Sequence, residues 1–108
     1  MNTTKSGKRF SFGDVIITEV QFVDTFEVKR RPALVLFQEY GNIVSAVITR
    51  NPKMKGVSLT KSEGMAEDSV IKLNYIFTIS ELMVKKFLFS VSDKKKIEIK
   101  NELMRKLI

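Results

Sequence analysis

The sequence contains no cysteine, no histidine and no tryptophan. Without Cys there is no disulfide framework, no thiolate zinc site and no thiol nucleophile. Without His there is no Ser-His-Asp triad and no imidazole acid–base pair. Acidic residues number twelve, and apart from Glu67-Asp68 they stand singly, so no metal site and no cofactor are expected. Long hydrophobic runs are also missing. None approaches the roughly 20 residues that span a membrane. Residues 1–12 carry basic residues without an apolar stretch, so no signal peptide is expected. A reducing cytoplasm suits such a chain.

What remains is a small basic protein of 108 residues, 44% hydrophobic and 29% charged, which is the composition of one globular domain. Residues 1–11 are polar and aperiodic and read as a flexible lead. Residues 12–108 read as a single domain. Nineteen Lys and Arg oppose the twelve acids, a formal charge of +7. That charge is unevenly placed. Residues 1–28 carry a net −1, residues 29–61 a net +6, residues 62–84 a net −3 and residues 85–108 a net +5. In the middle block Lys29, Arg30, Arg31, Arg50, Lys53 and Lys55 flank apolar runs, which places them on loops at the rim of a sheet. A basic rim of this kind suits a polyanion.

The pattern along the chain is mostly β. Val15 to Val23 is rich in β-branched residues and reads as a strand. Residues 24–30 read as a loop. Ala33-Leu34-Val35-Leu36-Phe37 follows Pro32 as a buried strand, and Tyr40-Gly41-Asn42 turns the chain into a return strand, Ile43 to Thr49. Asn51 to Gly56 is a loop. Short strands are expected over Val57–Thr60 and Ser69–Leu73. Ser80 is placed to cap a short helix through Lys86, and Phe87 to Val91 reads as a further core strand. Ser92 caps a final helix, Asp93 to Leu107. At 100° per residue Ile97, Ile99, Leu103, Met104, Leu107 and Ile108 fall on one half of that helix, with Lys94, Lys95, Glu98, Asn101, Glu102, Arg105 and Lys106 on the other. Many short, locally connected strands with a terminal helix predict a mainly β fold, a small antiparallel barrel with the helix packed on it.

Two segments carry candidate chemistry. In Lys29-Arg30-Arg31-Pro32 the Pro pins the backbone beside Arg31. A guanidinium held in this way binds a phosphate bidentately and stabilises charge building on a pentavalent phosphorus. Thr49-Arg50-Asn51 ends the return strand, and closing the hairpin brings Thr49 toward Arg31. A hydroxyl beside a guanidinium makes a phosphate-orienting site that needs neither metal nor His. Solvated charge is the plain alternative for both segments.

Five blocks then occur in order: Gly13-Asp14-Val15-Ile16, Lys29-Arg30-Arg31-Pro32-Ala33-Leu34-Val35-Leu36, Ala46-Val47-Ile48-Thr49, Glu67-Asp68-Ser69-Val70-Ile71-Lys72-Leu73 and Phe77-Thr78-Ile79. Together they resemble the PemK/MazF/Kid family of toxins from type II toxin–antitoxin systems, over residues 13 to 107. The resemblance implies an SH3-like, PemK-like β-barrel with a C-terminal helix and a cytoplasmic homodimer. It further implies a ribosome-independent, metal-independent, sequence-selective endoribonuclease on single-stranded mRNA. Cleavage would leave a 2′,3′-cyclic phosphate and a 5′-hydroxyl. The implied partner is an antitoxin whose acidic C-terminal tail covers the RNA groove. Position by position, the family's Arg of the R-P motif falls on Arg31 and its Thr of the A-x-x-T motif on Thr49, the two implied catalytic residues. Lys29, Arg30, Arg50, Lys53, Lys55, Lys72 and Asn74 are the expected RNA-binding residues, and Glu27 is the nearest candidate for a loop acid or base. The chain departs from the family at Arg50, at Lys72 and Asn74, where some members carry Arg and Asp, and at Phe77. Two other functions share the fold. One is a non-enzymatic toxin acting on DNA gyrase, and the other is an RNA-binding module with a decayed site.

Overall fold

The computed structural model describes residues 9–21, 28–51, 53 and 55–108. Six strands, β1 (Asp14–Gln21), β2 (Val28–Glu39), β3 (Asn42–Thr49), β4 (Val57–Leu59), β5 (Ser69–Ser80) and β6 (Val84–Ser90), precede one helix, α1 (Asp93–Leu107). Single 3-10 turns occupy Lys61–Glu63 and Glu81–Met83. The strands form one antiparallel sheet in the order β4-β5-β3-β2-β1-β6. It curls into a half-barrel whose two edges are the short β4 and the late β6. The mainly β expectation holds.

Alternation along the strands divides the apolar residues between two faces. Val15, Leu34, Ala46, Ile48, Ile71 and Leu73 form the larger core, to which Ile99 of α1 is added. Ile16, Ala33, Val35, Ile43 and Ile79 form a second cluster on the other face. Tyr40, at φ 51°, and Gly41, at φ 78°, make the tight β2–β3 turn expected around Tyr40-Gly41-Asn42.

Several elements differ from expectation, and each difference has a tertiary cause. Residues 28–30 are strand and not loop, because β2 pairs with β1 from its first residue, in the register Gln21↔Val28 to Ile17↔Pro32. Pro32 stands just outside the β2–β3 ladder, which begins at Ala33↔Val47, so its missing N–H leaves no gap there. β5 continues past Leu73 to Ser80. Its register against β3 jumps from Val47↔Lys72 to Ala46↔Ile76, an irregularity that bends the strand without ending it. The helix expected over 80–86 is a single 3-10 turn. Ser80 does cap it, accepting from the Leu82 N–H at 3.1 Å, but from Val84 the chain pairs with β1. Phe87, expected in the core, is half-exposed on that edge strand.

The helix also differs. Ile99 is buried and Leu103 packs on the core, but Ile97, Met104, Leu107 and Ile108 face solvent. Lys95, assigned to the polar half, is buried instead. Its ammonium donates to the Ser58 carbonyl at 2.8 Å and pairs with Glu63 and Glu98, each at 3.1 Å. This polar anchor rotates the helix away from the orientation that its apolar residues alone would choose. Residues 22 and 23 of the first expected strand lie outside the described residues.

Candidate functional site

Arg31 lies on β2 opposite Thr18 of β1. The buried Thr18 hydroxyl donates to the Arg31 carbonyl at 3.1 Å, and Pro32 fixes φ on the other side. The backbone at Arg31 is therefore held while its side chain stays exposed. Among the described residues no carboxylate pairs with its guanidinium. Thr49 closes β3. The Asn51 N–H donates to the Thr49 hydroxyl oxygen at 3.2 Å, and the Asn51 side-chain oxygen accepts from the Lys53 N–H at 3.0 Å. Because the hydroxyl accepts from Asn51, its own hydrogen remains to be donated elsewhere.

Arg31 and Thr49 line one cavity of about 590 Å³ at the open ends of β2 and β3. Ile17, Ile48, Met65 and Leu88 supply its apolar surface. Lys29, Arg30, Arg31 and Arg50 supply cations, and Glu67 is the one carboxylate among the described lining residues. Arg30 is held to Glu19 at 3.1 Å, and Glu19 also takes Lys85 at 3.2 Å. The hydrogen bonds from Arg30 and then Lys85 keep the Glu19 carboxyl below the ordinary glutamate range. Arg50 pairs with Glu67 at 2.6 Å on the cavity rim. The backbone behind Glu67 is fixed by the Ser69 hydroxyl, which donates to the Glu67 carbonyl at 2.8 Å.

Thus Arg31, Thr49, Lys29, Arg30 and Arg50 come together. Lys55, Lys72 and Asn74 do not join them. They line a second cavity, of about 510 Å³, between β5 and α1. Lys53 stands exposed on the connection between the two. Glu27 lies outside the described residues. Sequence reading did not single out Thr18 and named Asn51 only as the end of the Thr49-Arg50-Asn51 segment, since a hydroxyl on a mid-strand residue and an amide in a turn acquire their roles only from register and turn geometry. Nor did it single out Arg105 and Lys106, which α1 brings to the second cavity. Among the described residues no group of three or more acidic residues is placed to hold a metal ion.

A basic cavity holding a guanidinium and a hydroxyl, on a six-stranded half-barrel closed by a C-terminal helix, can be compared with known proteins. Residues 11–107 match the family described as the PemK-like, MazF-like toxin of type II toxin–antitoxin systems. The chain belongs to this family. Three solved structures show how far the PemK/MazF fold is kept. The MazE–MazF complex of Deinococcus radiodurans (crystal form II) is 15% identical. It superposes with a TM-score of 0.75 over 93% of this chain and 96% of that one. The Mycobacterium tuberculosis toxin MazF-mt6 is 18% identical, with a TM-score of 0.68 over 85% and 95% of the two chains. An endoribonuclease in complex with its cognate antitoxin, from a mycobacterial species, is 14% identical, with a TM-score of 0.70 over 92% and 93%. At these identities the PemK/MazF likeness is one of fold. No curated protein matches the sequence.

Proposed function

We propose that this PemK/MazF-family chain is a ribosome-independent and metal-independent endoribonuclease that cuts single-stranded mRNA at selected sequences. The observation that carries the reading is the shared cavity of Arg31 and Thr49, with four cations against one carboxylate. In the reaction the ribose 2′-oxygen attacks the adjacent phosphorus in line. The phosphorus–5′-oxygen bond breaks, the 2′-hydroxyl proton passes to a base, and the leaving 5′-oxygen takes up a proton. The products are a 2′,3′-cyclic phosphate and a 5′-hydroxyl. Arg31 neutralises the charge building on the phosphorane. A guanidinium, which offers a fork of N–H donors and no acceptor, suits that role better than proton abstraction. The Thr49 hydroxyl, steadied by Asn51, donates to a non-bridging phosphate oxygen and sets the angle of attack. Lys29, Arg30 and Arg50 hold neighbouring phosphates.

The proposed cellular setting is the cytoplasm, with a cognate antitoxin whose acidic C-terminal tail competes for the same cations. Two toxin chains pair. Supporting this, Ile97 and Met104 recur at i and i+7 on the outward face of α1 and Ile108 follows just past its last residue, exposing 60%, 51% and 96% of their surface in the single chain. The experiment is cleavage of mixed-sequence RNA in EDTA by the wild type, Arg31→Ala and Thr49→Ala proteins. Wild-type cleavage is expected, with each variant slower by at least about 100-fold, as for loss of one oxyanion-stabilising donor. Oligonucleotides lacking the 2′-hydroxyl should stay intact. A folded wild-type protein that cuts no RNA refutes the proposal. Blocked DNA supercoiling without RNA cleavage would instead indicate a gyrase toxin, and salt-dependent RNA binding alone would indicate a binding module.

A further inference from the structure

The Arg50–Glu67 pair does little for the fold. Its side chains are 69% and 61% exposed, and the Glu67 carboxylate has no other partner among the described residues. An ion pair this open adds almost nothing to stability. Yet the Glu67 backbone is fixed, through the Ser69 hydroxyl on its carbonyl. The position is also unfavourable to a polyanion. Glu67 is the one carboxylate among the described lining residues of a cavity that carries Lys29, Arg30, Arg31 and Arg50, and it repels phosphate. A carboxylate only accepts hydrogen bonds, so what it meets in such a cavity must be an N–H or O–H donor. RNA offers donors on its base edges and on the ribose 2′-hydroxyl.

The cavity is shaped for a base. Ile17, Ile48, Met65 and Leu88 give it an apolar wall on which a base face can lie, and Met65 stands two residues before Glu67. One short segment thus supplies part of the wall and the acceptor at its edge. The ion pair is monodentate: the Arg50 Nη1 donates to the Glu67 Oε2 at 2.6 Å. A carboxylate has about four lone-pair sites, so Oε1 and the second lone pair of Oε2 can accept side by side. Arg50 has five N–H donors and uses one here, which leaves the others for phosphate.

We infer that Glu67 selects guanine in a nucleotide beside the cut, its two oxygens accepting the N1–H and N2–H of that base. The inference rests on the endoribonuclease reading, and the place follows from Arg50, which directly succeeds Thr49 and ties Glu67 to it. Guanine alone of the four bases carries two neighbouring N–H donors on its pairing edge. Adenine and cytosine set one amino donor beside a ring nitrogen, whose lone pair would face the second carboxylate oxygen. Uracil sets one N–H between two carbonyls. Each of these three leaves an acceptor opposed to an acceptor, so rejection contributes as much as attraction. The carboxylate lowers general affinity for RNA and raises discrimination.

The test compares kcat/KM on short RNAs once cleavage mapping has located the cut. Wild-type protein should prefer guanine at one of the two nucleotides flanking the cut phosphate. Adenine there should be cut about 10–100-fold more slowly, the range of one bidentate base contact. Inosine, which lacks only the N2 amino group, should be cut about 5–10-fold more slowly, and this arm needs no variant. Glu67→Gln offers one acceptor and one donor, the pattern that matches adenine, and should lower the guanine-to-adenine ratio by about tenfold or more. Affinity for RNA of mixed sequence follows charge and is read separately from that ratio. A wild type that cuts RNA with no guanine beside the cut, or that cuts guanine and inosine substrates alike, overturns the inference and leaves the endoribonuclease reading standing. A folded Glu67→Gln protein that keeps the full guanine preference overturns it too. So does one slowed equally on every sequence, which would make the carboxylate a proton acceptor for the 2′-hydroxyl. A folded wild type that cuts no RNA overturns both inferences.

Discussion

Replacing Lys95 by Met keeps the aliphatic stem of a buried side chain and deletes its ammonium. That side chain is 8% exposed, and its ammonium joins three pieces of the chain: the β4 carbonyl of Ser58, Glu63 of the 3-10 turn, and Glu98 one helical turn along. Loss of one partner from a fully buried pair costs about 3–5 kcal/mol. Here the carboxylates are 31% and 53% exposed, so both regain water, and Glu63 keeps the Thr60 N–H at 2.9 Å. The expected cost falls to about 1–2 kcal/mol, close to one charge-assisted hydrogen bond. For a domain of this size that lowers the melting temperature by about 5–15 °C.

The pH dependence gives a second signature. Burial raises the Glu63 pKa, but the Thr60 N–H, the Lys95 ammonium and the Thr60 hydroxyl outweigh it, leaving it below the ordinary 4.5. Burial lowers the Lys95 pKa, but hydrogen bonds to Glu63 and Glu98 outweigh it, leaving it above the ordinary 10.5. The Glu63 contribution is complete above pH 4.5 and is lost as pH falls through its folded value. The Lys95 contribution is complete below pH 10.5 and is lost as pH rises through its folded value. The gap between wild type and Lys95→Met should therefore be flat from about pH 5 to 10 and narrow on both sides. Thermal melts by circular dichroism across that range, with Glu63→Gln in both backgrounds to isolate the pair, measure it. A melting-temperature loss under about 2 °C at neutral pH, or a gain, refutes the anchor.

Glu67→Gln removes the only carboxylate among the described lining residues of the first cavity and releases Arg50. RNA affinity should rise by about 2–5-fold, the scale of an exposed ion pair, and filter-binding titrations read it. If cleavage instead drops more than about 100-fold with binding unchanged, Glu67 is the proton acceptor of the reaction. Gly56→Ala drives a Cβ to 2.2 Å from the Ile71 carbonyl oxygen and 2.6 Å from the β-branched Val70 side chain. A loss of more than about 2 kcal/mol is expected in urea denaturation, and a neutral result would mean that the 55–57 backbone moves freely. The Ser45 hydroxyl is buried with no hydrogen-bond partner among the described residues, so Ser45→Ala should be neutral or stabilising by up to about 1 kcal/mol in the same assay.

The comparison between sequence and structure divides along a physical line. Arg31 and Thr49 were legible because a hairpin is local. Pro32, the turn at Tyr40-Gly41-Asn42 and the apolar runs on either side bring them to one end without help from the rest of the chain. Residues 28–30 and 84–86 were not legible, because their mixed composition carries no β signal and they become strand where β1 completes their hydrogen bonds. Residues 74–80 are rich in β-formers from Tyr75 to Ile79, but the register irregularity between Lys72 and Ile76 breaks the alternation that would have continued the strand. Lys95 was hidden for a related reason. Periodicity assigns a lysine to the wet side of a helix, and the dry position is tolerable because two acceptors distant in sequence, on Ser58 and Glu63, join Glu98 of the same helix around the ammonium. The split of the basic residues into two cavities was likewise invisible, since charge counted along the chain says nothing about which side of a folded loop it faces.

The strand order has a consequence for how the protein is made. β1 sits between β2 and β6, so the first strand to leave the ribosome pairs on one side with the last. Until residue 90 has been synthesised, β1 has an unfilled edge, and the wall that Leu88 gives the cavity of Arg31 and Thr49 does not exist. A partial chain ending before β6 thus brings the arginine and the threonine to one end of their hairpin but lacks the Leu88 wall of their cavity. For the proposed endoribonuclease, the cavity of Arg31 and Thr49 is complete only once β6 has been made.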